Sequence, residues 1–243
     1  MTFLALMIVL AIDYFTSSAE RIRANRWLAS GVTKVYSLFK SQAFFKGHLA
    51  LTLVLCLFAV VTALIYAVLL SVFFKIFAFL FSITVLIFCL QGFAFQKSES
   101  IETLLSHAVS HLFSVVFWFL LLGPVGAVVY HVNEIIIRED YDDAVTSSAE
   151  MFRQVLDWLP VRLLTLAFAL VGHFSSVIGF WLDHVFSGFD QNETMLVGSA
   201  QKVLAKETEK ELASLEEKCR YVYRLLQRSL IVWLIVIALF VLL

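Results

Sequence analysis

The chain has 243 residues, 61% of them hydrophobic, with 24 Phe, a mean hydropathy of +0.90 and a formal net charge of -1. A soluble domain carries about 45–50% apolar residues, so this composition excludes an ordinary soluble protein and points to an integral membrane protein. The charge balance speaks against nucleic-acid binding. The three cysteines, Cys56 and Cys89 in apolar runs and Cys219 in a charged segment, read as packing residues and not as a disulfide framework.

Residues 1–15 are apolar, with Asp13 near their end. No positive segment precedes them and no small-residue cleavage site follows, so they read as a retained helix. It is short against the ~20 residues a span needs. Residues 16–47 carry Arg21, Arg23, Arg26, Lys34, Lys40 and Lys46 against the single acid Glu20, with Trp27, Tyr36, Phe39, Phe44 and Phe45 interleaved. This pattern predicts a basic amphipathic segment on the cytoplasmic membrane surface. A phosphate-binding patch is the sharper alternative, but no glycine-rich phosphate loop supports it. Residues 49–70 and 72–91 are apolar, each long enough to span, and are split by Ser71 and Lys75; they predict a helical hairpin. Residues 92–111 are polar. His107 and His111 fall four apart on one helix face, but no third metal ligand lies nearby, and a solvated helix start is the plainer reading.

Residues 117–130 are apolar yet hold Gly123, Pro124, Gly126 and Ala127 at their centre. A proline inside a helix bends it and leaves the carbonyl of Leu120 without its usual donor, and in lipid that group needs another partner. Gly123 and Ala127 have the small-xxx-small spacing that lets another helix approach closely. The stretch therefore predicts either tight helix packing or the wall of a polar site.

Residues 131–162 form an acidic helical segment with His131, Asn133, Glu134, Asp140, Asp142, Asp143, Glu150, Arg153, Asp157 and Arg162. The aspartates lack the glycine of a calcium loop. Asp157 and Pro160 predict a helix start, the first as cap and the second in the first turn. Arg162 stands just inside the apolar run that follows, where an unpaired charge is costly; it is expected to snorkel or to pair with a carboxylate such as Asp157. Residues 163–182 are interrupted by Gly172, His173, Ser175, Ser176 and Gly179, and either span or lie buried. The sequon at Asn192 is discounted as a chance pattern.

Residues 198–228 predict a charged amphipathic helix whose seam is Leu212, Leu215, Cys219, Val222 and Leu226, supported by the pair Glu216–Arg220. The seam is expected to dock on the rest of the chain or on a second copy, so residues 204–226 are the candidate surface for a homodimer or a membrane partner protein. Residues 229–243 alone are shorter than the ~30 Å apolar core. Either Arg224 and Arg228 snorkel or the helix continues upstream. Residues 16–47 hold six Lys/Arg, 183–228 seven and 131–160 two. If every apolar segment crosses, the acidic region faces away from the cytoplasm; if residues 163–182 only dip in, it shares one face with residues 183–228.

The expected architecture is an all-α polytopic membrane bundle of four to six membrane helices with amphipathic surface helices, forming a single integral domain over residues 1–243 in contact with the lipid bilayer. The residues Phe117-Trp118, Leu122-Gly123-Pro124, Gly126-Ala127 and Tyr130, then Leu156 to Leu163, then Ala169-Leu170-Val171-Gly172-His173 resemble the AmpE family of bacterial inner-membrane proteins linked to beta-lactamase induction. That family is similar in turn to the CobD/CbiB adenosylcobinamide-phosphate synthases, through the Gly-Pro-x-Gly-Ala stretch, Tyr130 with Asn133, and Asp157 with Pro160 and Arg162. Glu134-Ile135-Ile136 stands where the synthases carry a Thr-Leu-Asp run, and His107 to His111 where they carry an Arg-Asp motif. The resemblance implies a multi-pass inner-membrane regulator without cofactors, metal or assigned catalysis. The alternative it implies is an ATP- and Mg²⁺-dependent amide-forming enzyme with Asn133, Glu134, Asp157 and Arg162 as its polar site. There the carboxylates would hold Mg²⁺ and Arg162 would bind phosphate.

Overall fold

The computed structural model describes residues 2–15, 21–39, 47–72, 74–90, 100–208 and 214–242. All of its regular elements are helical: α1 (Thr2–Phe15), α2 (Arg21–Phe39), α3 (Gly47–Val72), α4 (Phe74–Cys89), α5 (Ile101–Ala108), a π-turn (Val109–Phe113), α6 (Ser114–Leu122), α7 (Pro124–Glu139), α8 (Asp143–Val171), α9 (Phe174–His184), a 3₁₀ turn (Phe189–Gln191), α10 (Asn192–Thr208) and α11 (Leu215–Leu242). Among the described residues four stretches are long and apolar enough to cross a bilayer: Gly47–Ser71, Ile101–Leu122, Asp143–Val171 and Leu215–Leu239. In the first, Leu49, Leu53, Leu57, Val60, Leu64 and Val68 are exposed. A soluble protein does not show water an apolar helix of this length; the chain is a multi-pass membrane protein. At 16 residues, α4 is about 24 Å long, short of the full span expected for the second arm of that hairpin.

The chain forms two compact units. Met1–Gly92 with Ser114–Arg153 make the first, and Phe93–Phe113 with Gln154–Leu243 the second. The first is built around α7, which packs on α2, α3, α4 and α6, while α1 packs on α4 and α6. Ala127, Tyr130, Val132, Asn133, Ile135 and Ile136 are all buried, as suits a helix surrounded on most sides.

Here the structure corrects the sequence reading of Pro124. The stretch 117–130 is not a bent helix but two helices meeting at a turn. Gly123 adopts φ +65°, and Pro124 opens α7. Glycine takes that conformation without a Cβ clash. Proline at the first helical position loses no hydrogen bond, because that N–H has no helical partner anyway. The close approach runs through Gly126 and not Gly123. A Cβ on Gly126 would clash with the carbonyl oxygen of Trp118, whereas none of the described residues lies within 4 Å of one on Gly123.

In the second unit α10 packs on α5, α9 and α11, and α11 also packs on α5. Gly198 meets the ring of Phe180 and Gly172 meets Val203, so two glycines let these helices close up. The T-shaped pair Phe113–Trp233, with centroids 5.2 Å apart, joins the π-turn to α11.

Pro160 is the second correction. It lies inside α8, not in a first turn, and Asp157 is an interior residue of the same helix and not its cap. The apolar run 163–182 breaks at Gly172–His173, two of the residues that interrupt it in the sequence, between α8 and α9. The amphipathic helix expected over 198–228 is divided between α10 and α11; Leu212, the first seam residue, lies outside the described residues. A reciprocal capping box starts α11. The backbone N–H of Glu217 donates to Ser214 Oγ (3.2 Å) and that of Ser214 to Glu217 Oε2 (3.1 Å). Leu215 is exposed, while Cys219, Val222, Leu225 and Leu226 are buried. The terminal helix does continue upstream: α11 has 28 residues, about 42 Å, and Glu216–Arg220 pair across one turn at 3.2 Å.

Candidate functional site

The four polar residues singled out in the sequence fall two in each unit. Asn133 and Glu134 sit on α7 in the first; Asp157 and Arg162 sit on α8 in the second.

In the first unit Asn133 is fully buried. Its Nδ2 donates to the carbonyl of Ala149 at 3.0 Å, tying α7 to the start of α8, and its Oδ1 is a buried acceptor with no hydrogen bond among the described residues. Such an atom is rare, because an unmade buried hydrogen bond is costly. Glu134 is nearly buried and lies 3.8 Å from Arg153, a partner that the sequence reading did not assign. His131 is buried on the same helix. The Asn133–Glu134 edge of α7 therefore works as a polar fastening on α8.

The second unit holds a denser cluster around Arg162, which is only 3% exposed. A guanidinium at that depth must be hydrogen-bonded on all sides to offset its lost hydration. Nε donates to Val185 O (3.2 Å). Nη1 donates to Trp158 O (3.2 Å) and to Asn192 Oδ1. Nη2 donates to Ser187 O (2.9 Å), Ser187 Oγ (3.0 Å) and Gly188 O (3.5 Å). The guanidinium carbon stands 4.5 Å from the Trp158 ring centroid, close enough for a cation–π contact. Two indoles complete the cage: Trp158 Nε1 donates to Ser187 O (3.1 Å) and Trp181 Nε1 to Arg162 O (3.0 Å). Asn192 Nδ2 donates to Gln154 O (2.7 Å), so the amide of the discounted sequon is committed inside the fold.

The geometry has two consequences. The guanidinium closes the loop between α9 and α10 onto α8, so the chain that leaves at Arg162 returns to it at Val185. Residues 163–184 thus leave α8 at Arg162 and come back to the same side chain. Every guanidinium nitrogen is also engaged, so Arg162 is a clamp whose donors are occupied by this loop; a phosphate would have to displace them. The signals for this cluster that the sequence did contain were Ser187 and Asn192, polar residues in a loop that follows an apolar run. Asp157 is buried one turn or more before Arg162 on the same helix. Among the described residues no group of three or more His, Cys, Asp or Glu side chains is placed to hold a metal ion. His107 and His111 meet edge to face, with ring centroids 5.4 Å apart.

A protein-family model described as "Regulatory signalling modulator protein AmpE" matches residues 96–243, more than half of the chain. The chain is also similar to the cobalamin biosynthesis protein CobD of Chromobacterium violaceum, at 34% identity over 79 residues, covering 30% of this chain and 25% of that protein. The match spans about a quarter of that relative's length. No solved structure matches.

Proposed function

Because the chain belongs to the AmpE family, we propose that it is a multi-pass protein of the bacterial inner membrane that modulates signalling in beta-lactamase induction and cell-wall recycling, without catalysis of its own. The family match over residues 96–243 carries this reading. The chemistry of the polar residues supports it. Arg162, the one buried guanidinium of the second unit's α8, is consumed by loop closure, and the Asn133–Glu134 edge is consumed in part by helix fastening. Deleting the gene in its host should change the ratio of beta-lactamase made with and without a beta-lactam inducer. An unchanged ratio counts against the proposal.

A second reading rests on the similarity to CobD: a membrane enzyme forming an amide at the expense of ATP with Mg²⁺. The test is thermal unfolding of the purified protein with Mg²⁺ and ATP. A nucleotide-dependent rise that Asp157→Asn removes would favour this reading, and no rise would favour the regulator.

A further inference from the structure

The first unit contains a groove that neither reading uses. Its volume is about 570 Å³ and it is lined by Ala29, Ser30, Thr33, Lys34, Ser37 and Glu139. That volume lies within the ~300–1,000 Å³ typical of small-ligand sites. One wall is a face of the amphipathic α2. The other is the C-terminal end of α7, where Asp140 leaves the helix in a left-handed conformation (φ 48°).

The lining carries both signs of charge. Lys34 is exposed and makes no ion pair with a carboxylate among the described residues, while the hydroxyls of Thr33 and Ser37 are spent as donors on Ala29 O (2.9 Å) and Lys34 O (2.8 Å), so the ammonium of Lys34 is the group on this wall that can take an anion. On the α7 wall Glu139 adds its carboxylate to the negative pole of α7. Its partner Arg138 is 3.6 Å away and both are nearly half exposed, a pair weak enough for a ligand cation to replace. Thr33 Oγ1 and the Tyr141 hydroxyl lie 2.8 Å apart, and Tyr36 stacks on Tyr141 with centroids 4.8 Å apart.

We propose that this groove binds a zwitterion, its anion against Lys34 and its primary ammonium against Glu139. Aminoethyl phosphate has this chemistry, either free or as the headgroup of an aminophospholipid reaching α2 from the bilayer surface. The inference does not rest on the regulatory reading.

The test is binding to the purified full chain in detergent micelles, read by thermal shift and by native mass spectrometry. The probes are O-phosphoethanolamine, phosphocholine and glycerol phosphate, and the phospholipids that carry the same three headgroups. The aminoethyl member of either series should bind at least about fivefold more tightly than its two companions, the scale of one exposed ion pair. Preference in both series identifies the headgroup alone as the ligand; preference only among the lipids identifies the membrane as its source. Lys34→Gln should weaken all binding, whereas Glu139→Gln should remove only the preference for the primary amine. Both positions are exposed, so the variants should fold. Equal binding of glycerol phosphate, binding indifferent to both substitutions, or no binding in either series would overturn the proposal.

Discussion

Replacing Arg162 with Met keeps most of the aliphatic volume in α8 and removes the guanidinium. Six hydrogen bonds go with it, to Val185, Trp158, Asn192, Ser187 twice and Gly188. A hydrogen bond to a charged group contributes about 1.5–3 kcal/mol, so a simple sum would overshoot. The charge itself costs several kcal/mol to bury, and the freed loop carbonyls can turn to water once the loop opens. Removing one partner of a buried charged cluster destabilises by about 3–5 kcal/mol, and that is the expected loss here. Arg162→Lys should recover little of it, because one ammonium cannot reach acceptors on several sides of a planar fork. The assay is thermal unfolding in micelles paired with limited proteolysis. The midpoint should fall and new cleavage should appear at residues 185–191, which this clamp holds against α8. A midpoint within about 0.5 kcal/mol of the native chain, with that loop still protected, would refute the assignment of Arg162 as a clamp.

Gly126→Ala should destabilise the first unit by about 2 kcal/mol or more through overpacking, because its Cβ would meet the Trp118 carbonyl; Gly123→Ala, which strains only φ, should cost nearer 1 kcal/mol, and equal midpoints would contradict the packing at the turn. Pro124→Ala should change stability by less than about 0.5 kcal/mol, since the residue starts a helix and does not kink one; a large loss would restore the bent-helix reading. Burial, aided by Asp142, holds the Tyr36 phenol above its ordinary pKa, and burial together with Glu139 outweighs the hydrogen bond shared with Thr33 to do the same for Tyr141. The folded state favours the neutral phenols, so their stabilisation is complete below about pH 10 and is lost as pH rises through the raised values. Tyrosinate absorbance should show these two titrating late, and loss of the late phase should follow Tyr36→Phe combined with Tyr141→Phe. Cysteines placed at Gln154 and Asp190 in a chain lacking its native thiols should react with an impermeant reagent from the same side of sealed vesicles, because Asn192 returns to Gln154; labelling from opposite sides would mean that residues 163–184 cross.

The helical class and the membrane setting were legible because they follow from long apolar runs, whose cost of exposure is large and nearly independent of partners. The two prolines exchanged their expected roles. Pro124 starts a helix because Gly123 beside it can take positive φ, whereas Pro160 lies inside α8 without ending it. A proline alone does not distinguish these cases, since the deciding term is the backbone angle of its neighbour or tertiary packing. The cost of burying Arg162 was also legible, but its partners lie more than twenty residues downstream in a loop, beyond any local pattern. The break before α11 was marked by Ser214-Leu215-Glu216-Glu217, a capping box hidden within a heptad-like seam. Three of the five seam residues, Cys219, Val222 and Leu226, are buried as expected, and Leu225 joins them in place of the exposed Leu215.

The central claim is tested most directly by complementation. Beta-lactamase activity would be measured before and after inducer in the parent strain, in a strain lacking this gene, and in that strain carrying the native chain or Arg162→Met. The account predicts an altered induction ratio in the deletion, restored by the native chain and restored poorly by the unclamped variant. Identical ratios in the parent and the deletion would contradict it.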